Sequence, residues 1–178
     1  PMAGNGSLMR CAPLAMCYMD DSETRHAVSQ RESTLTHFDR LAGSACVAFN
    51  DLIVAAYHDA LGAQLPAIAD AMFDEDKRVS AALQEAMEAE PEEIQSSAFV
   101  LDTLCAAVWA VVGTDSFEEA LVRAVNLGND ADTVGAVTGA LAGSVYGERG
   151  IPQRWLDCLR VRERIVAVAD RLADLAYR

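Results

Sequence analysis

The sequence predicts an all-α protein, and three observations carry that reading. Apolar residues recur at helical spacing through nearly every long segment. The chain is rich in Ala and Leu, with few β-branched runs. Ser, Thr, Gly and Pro fall where helices would begin and end.

Residues 7–19 are apolar and carry Pro13 early, which suits the first turn of a helix. Thr36-His37-Phe38-Asp39 reads as a capping box opening a helix to about Leu61, with Gly62 as its stop. Two amphipathic pieces follow, around residues 64–73 and 77–89. The acidic stretch 85–93 contains Pro91 and reads as a solvated helix end and loop. Residues 94–112 are almost all apolar and predict a central helix. Ser116-Phe117-Glu118-Glu119 is a second capping box, whose helix ends near Leu127-Gly128. The next helix carries Gly135, Gly139, Gly143 and Gly147, every fourth residue, leaving one face almost bare for close approach by a neighbour. After Ile151-Pro152 a short turn holds Trp155, and a last helix spans about residues 160–177. No linker, repeat or low-complexity tract divides the chain, so residues 1–178 read as part of one domain.

The totals narrow the function. With 178 residues, 52% of them hydrophobic, the chain can bury a core. Lys and Arg number 14 against 27 Asp and Glu, a net charge of −13. Such a surface repels phosphate backbones and anionic lipid, which argues against nucleic-acid and membrane partners. The longest uncharged apolar stretch, 133–147, is shorter than the roughly 20 residues of a membrane span. The five cysteines form no C-x-x-C pair and sit mostly among apolar residues, the pattern of reduced, buried thiols in a cytoplasmic protein. The first residues, Pro-Met-Ala-Gly-Asn-Gly-Ser, read as a loop within a longer protein.

Three short motifs could carry chemistry. Asp130-Ala131-Asp132-Thr133 puts two carboxylates and a hydroxyl at a helix entrance, the oxygen-rich set that hard divalent cations take. Simple capping is the alternative, although a cap needs only one such residue. The D-x-D motifs of glycosyltransferases and phosphatases normally follow a strand, whereas an amphipathic helix precedes this one. Gly4-Asn5-Gly6-Ser7 is a glycine-rich turn before a helix, able to present backbone N–H groups to an anion. His37, at the next helix start, is placed either to point into a cleft or to serve as an ordinary surface residue.

Taken in order, Gly-Asn-Gly-Ser-Leu-Met-Arg-Cys-Ala-Pro-Leu, Leu-Thr-His-Phe-Asp, Asp-Thr-Leu-Cys-Ala-Ala-Val-Trp-Ala, Ala-Val-Asn-Leu-Gly-Asn-Asp-Ala-Asp-Thr-Val-Gly-Ala and Gly-Ile-Pro-Gln-Arg-Trp-Leu resemble the ADP-ribosylglycohydrolase family. Its dinitrogenase reductase-activating glycohydrolases look nearest. The resemblance implies a compact orthogonal helical bundle of which this chain is the C-terminal portion, with the N-terminal helices missing. It implies a two-ion Mg²⁺ or Mn²⁺ centre that removes ADP-ribose from protein side chains, commonly arginine. Asp130, Asp132 and Thr133 would then be metal residues. Asn5, Gly6, Ser7 and His37 would be ligand-binding. The family's Thr-Asp-Asp-Thr metal motif has no counterpart here, so the catalytic residues are expected outside the chain. The chain alone would be inactive, and a second chain carrying the N-terminal half is a possible partner. A non-catalytic ADP-ribose-binding or crystallin-like relative is the other reading. Two departures stand out: Ala98-Phe99 replaces Gly-Tyr, and Gly128-Asn129-Asp130 replaces Gly-Gly-Asp.

Overall fold

A computed structural model describes residues 3–176 of the chain. A 3₁₀ turn, Leu8–Arg10, leads into α1 (Pro13–Cys17), α2 (Ser22–Ser33), α3 (Arg40–Tyr57), α4 (Leu61–Glu75) and α5 (Lys77–Glu88). Then come α6 (Val100–Val112), α7 (Phe117–Val125), α8 (Ala131–Tyr146), α9 (Gln153–Leu156) and α10 (Arg162–Ala176), with a second 3₁₀ turn at Glu148–Gly150. The described residues contain no strand beyond an isolated bridge between Gly4 and Phe99. The all-α expectation holds. No described helix is long and apolar enough to cross a membrane.

The centre is α3 and α6. Helices α2 and α4 pack on α3, α5 and α8 pack on α6, and α7 lies along α8. Phe49, Leu52, Leu104, Val108, Val134 and Leu141 are fully buried between them. The glycine stripe of α8 works as its spacing implies for half its length. A Cβ on Gly135 would lie 3.1 Å from Val125 and one on Gly139 3.8 Å from Leu121, both neighbours being on α7. Gly143 faces open space, and Gly147, at φ 66°, ends the helix.

Several boundaries differ from the expectation. The cap of α3 is Asp39, whose carboxylate accepts from the Leu41 N–H at 3.0 Å, and not Thr36. That helix stops at Tyr57, with Asp59 at φ 54°, so Gly62 lies inside α4. Residues 7–19 form two short pieces instead of one helix, although Pro13 does sit at a helix start. Residues 94–99 are irregular and not helical, and at their end Asn5 and Val100 donate backbone hydrogen bonds to Ala98 and Ala3. Tyr177, expected in the last helix, lies outside the described residues.

Helix α2 is not foreseen by apolar periodicity, because its buried face is polar: Arg25, Ser29 and Ser33. Arg25 is held by Asp51 at 2.8 Å and by the carbonyls of Tyr18 and Met19. Asn50 reaches Ser29 at 2.9 Å. Buried polar groups are tolerated when paired in this way.

The apolar stretch expected to form the central helix is covered within the chain over most of its length. All of α6 from Val100 to Val111 is buried except Asp102. Uncovered apolar side chains include Ile165, Val166 and Val168 on α10, each 40–51% exposed, and Leu35 and Phe38 ahead of α3.

Candidate functional site

Asp130 occupies the N-cap position of α8, yet its carboxylate makes no capping bond. It is oriented from two other sides. Asn5 donates to Oδ2 at 2.6 Å, and the Thr133 hydroxyl donates to Oδ1 at 3.1 Å. The simple-cap reading of this aspartate therefore fails on geometry. Thr133 is nearly buried, whereas Asp132, in the first turn of α8, is exposed. All three residues sit at one helix entrance, but no group of three or more His, Cys, Asp or Glu side chains among the described residues could enclose a metal. The donors present are carboxylate and hydroxyl oxygens, which suit Mg²⁺ or Mn²⁺ and not a soft metal.

The loop ahead of α8 turns through two left-handed residues, Gly128 at φ 76° and Asn129 at φ 50°. Asparagine is among the few side chains that adopt this region readily, which explains why it can stand where the resembling family carries glycine. Ser96 anchors the turn. Its hydroxyl reaches the carbonyls of Leu127 and Gly128, its carbonyl accepts from the Asp130 N–H at 3.0 Å, and Asn129 donates to its Oγ at 3.3 Å.

Asn5 is buried, and its amide also donates to Thr103 at 2.8 Å, whose hydroxyl continues to the Ser97 carbonyl. Ser96 and Thr103 are thus site-building residues that motif reasoning misses. Their only sequence signal is polarity within an apolar stretch. Phe99 takes part through its backbone, in the bridge to Gly4.

Gly6 meets His37. A Cβ built on Gly6 would lie 2.8 Å from the ring's Cε1 and 2.9 Å from Nε2, closer than side chains tolerate. Glycine at this position admits the close approach of the imidazole. One loop therefore joins the two motifs, since Asn5 touches Asp130 while its neighbour Gly6 lies against His37. Thr36 bonds the other ring nitrogen, Nδ1, at 2.8 Å. Ser7 does not face this side. It is fully buried, and its hydroxyl accepts from Ser33 at 2.9 Å and from Cys46 at 3.6 Å. The Ser7 side chain holds the loop from below, which leaves its backbone as the part that could face a ligand.

Cys11 and Cys46 lie in that lower layer. A hydrogen bond with Cys46, reinforced by burial, holds the Cys11 thiol well above the usual range. All five cysteines are free. A cavity of about 730 Å³ lies between α1, α8 and α10, bordered by Met16, Tyr18, Ile53 and Gly143, and contains none of the candidate residues. The candidate site is an open surface at the meeting point of residues 4–7, 36–37 and 128–133.

A family model described as ADP-ribosylglycohydrolase matches residues 1–178. An ADP-ribosylarginine hydrolase Tri1 of Pseudomonas putida (strain GB-1) is 32% identical over 98% of this chain and 47% of its own length. The ADP-ribosyl-[dinitrogen reductase] glycohydrolase of Rhodospirillum rubrum is 32% identical over 98% of this chain and 57% of its own. A solved structure titled ADP-ribosylglycohydrolase-related protein complex superposes with a TM-score of 0.87 at 37% identity, over 98% of this chain and 61% of that one. The chain spans about half the length of the curated relatives it matches over its whole extent.

Proposed function

The chain belongs to the ADP-ribosylglycohydrolase family, and from that premise we propose that it contributes one wall of a hydrolase removing ADP-ribose from modified protein side chains, arginine in particular. The observation that carries the reading is Asp130. It is a carboxylate at a helix entrance that caps nothing and is aimed by Asn5 and Thr133. The names of the Pseudomonas and Rhodospirillum relatives support the substrate class.

In this proposal Asp130, Asp132 and Thr133 hold Mg²⁺ or Mn²⁺, and the bound ions supply electrostatic stabilisation and an activated water. The chain's own residues position the parts. Asn5 fixes the rotamer of Asp130, the Thr133 hydroxyl donates to its other oxygen, and the glycine loop with His37 receives the ADP-ribose. Two carboxylates and a hydroxyl give at best weak binding of a single ion. The remaining ligands come from outside these 178 residues, in the same protein or in a partner chain.

The test has two arms. Titration calorimetry of the chain with Mn²⁺ should show weak binding that Asp130→Ala abolishes. Turnover of ADP-ribosyl-arginine should be absent for the chain alone and appear on mixing with a separately expressed segment spanning the rest of the relatives' length. Unchanged Mn²⁺ affinity in Asp130→Ala, or robust metal-dependent turnover by the 178 residues alone, would show that the site is misplaced. In the mixed system His37→Ala should weaken binding of free ADP-ribose and leave Mn²⁺ affinity intact.

A further inference from the structure

The two ring nitrogens of His37 have different surroundings. Nδ1 lies 2.8 Å from the Thr36 hydroxyl oxygen, which also receives an N–H from Arg10 Nη2 at 2.8 Å. Nε2 leans over the glycine loop, 2.9 Å from where a Gly6 Cβ would sit and 3.5 Å from that of Gly4.

The charge beside Thr36 favours one direction for its contact with His37. A guanidinium is donor-only, so the Thr36 oxygen must accept from Arg10. The hydroxyl keeps one proton of its own, and His37 Nδ1 is its only protein acceptor among the described residues. The positive charge of Arg10 polarises the hydroxyl toward donation and disfavours a second N–H aimed at the same oxygen. Nδ1 is then the acceptor. In a neutral imidazole the other nitrogen carries the proton, since the hydrogen bond made by one nitrogen sets the state of the other.

Arg10 is itself held from several sides. Its Nε donates to the Glu32 carboxylate at 2.5 Å, Nη1 to the Gly6 carbonyl at 3.3 Å, and Nη2 to the Glu32 carbonyl at 3.4 Å. The same side chain thus ties together the end of α2, the glycine loop and Thr36.

The geometry points to Arg10 and Thr36 as positioning residues that lock His37 in the Nε2–H tautomer, so that this N–H donates to an acceptor atom of a ligand lying along the Gly4–Gly6 loop. The ligand part of this inference rests on the function proposed above. The tautomer part does not.

The test is nitrogen-resolved NMR of the 178-residue chain with labelled histidine, at a pH where the ring is neutral. The signal of His37, one of three histidines, is assigned by its loss in His37→Gln. The wild type should show the Nε2–H form alone. Thr36→Val and Arg10→Gln should show both tautomers in exchange, and Thr36→Ser, which keeps the hydroxyl, should restore the single form. Position 36 is exposed, so its variants leave the core intact. ADP-ribose affinity of the mixed system should fall about three- to tenfold in Thr36→Val, the effect of one oriented hydrogen bond, and recover in Thr36→Ser. A wild-type ring protonated on Nδ1, or tautomer populations unchanged by Thr36→Val, would overturn the assignment. Absence of ADP-ribose binding by the wild-type mixture would sink the function proposal, while the NMR result would still decide the tautomer.

Discussion

Asn5→Ala isolates the link between the glycine loop and Asp130. The Asn5 amide nitrogen makes two bonds, to Thr103 at 2.8 Å and to Asp130 at 2.6 Å. The first is neutral and buried, and its loss costs about 1 kcal/mol. The second is charge-assisted, a class worth about 1.5–3 kcal/mol. Asp130 is half-buried, so water can replace part of it, and about 1 kcal/mol is the fair figure here. The backbone bond from Asn5 to Ala98, at 3.1 Å, survives the substitution. The expected loss is therefore about 2 kcal/mol, or about 4–8 °C in Tm for a domain of this size.

Thermal unfolding followed by circular dichroism measures this directly. A double-mutant cycle with Thr103→Val should return a coupling of about 1 kcal/mol. Asn5→Asp adds a sharper contrast. It sets a second carboxylate against Asp130, so without divalent cations it should be less stable than Asn5→Ala, and added Mn²⁺ should narrow the gap. A Tm for Asn5→Ala within about 1 °C of wild type would refute the claim that this bridge holds the site together.

Three further outcomes follow from the geometry. Gly6→Ala should cost about 1–3 kcal/mol by driving a methyl into the His37 ring, whereas Gly62→Ala, inside α4 with open space around it, should stabilise by about 0.5–1 kcal/mol; urea unfolding of both would compare them. Asp76 caps α5, and hydrogen bonding from Arg78 holds its carboxyl below the ordinary 3.8. Its folded value is depressed, so its contribution is present above about pH 4 and is lost as pH falls through the lowered value. Asp76→Ala should thus cost about 1 kcal/mol at pH 7, and equal stability of variant and wild type there would contradict it. Cys105 is buried, and burial, followed by the charges of Glu85 and Asp102, pushes its thiol up to about 12. Iodoacetamide at pH 8 should label the exposed Cys158 quickly and leave Cys105 unmodified until the protein is unfolded, as peptide mass mapping would reveal.

The elements that could be read from sequence are those whose signal is local. Ser116 caps α7 as its spacing implies, accepting from the Glu119 N–H at 3.2 Å. Apolar periodicity locates α4, α5 and the body of α6. Three of the failures share one cause, which is that distant residues decide them. Helix α2 buries arginine and serine against Asp51 and Asn50, so its pattern looks solvated although its inner face is not. Residues 94–99 look like helix but stay irregular, and their end at Ala98 to Val100 is tied to Ala3 and Asn5, more than ninety positions away. Thr36 fits a capping pattern by type, yet its hydroxyl is engaged by Arg10 and His37, and Asp39 caps instead.

The same contrast explains the candidate site. Each motif is visible as a residue type: the Asp130 pair, the glycine turn, His37. What turns them into a site is the Asn5 side chain, which spans 125 positions to Asp130, and the absence of a side chain at Gly6, which admits His37. Neither role can be inferred from spacing, because an asparagine and a glycine in a turn satisfy the turn alone. The supports are likewise buried or half-buried side chains with hydrogen-bonding atoms: Ser96 under Gly128 and Asn129, Thr103 under Asn5, Ser33 and Cys46 under Ser7. An isolated hydroxyl in a hydrophobic helix would carry a desolvation cost without return. Here each one restrains a loop that bears a candidate residue. Buried hydrogen-bonding side chains beneath such loops are therefore the place to look for the framework of such a surface, and removing any one of them should loosen the loop above it more than it weakens the bundle.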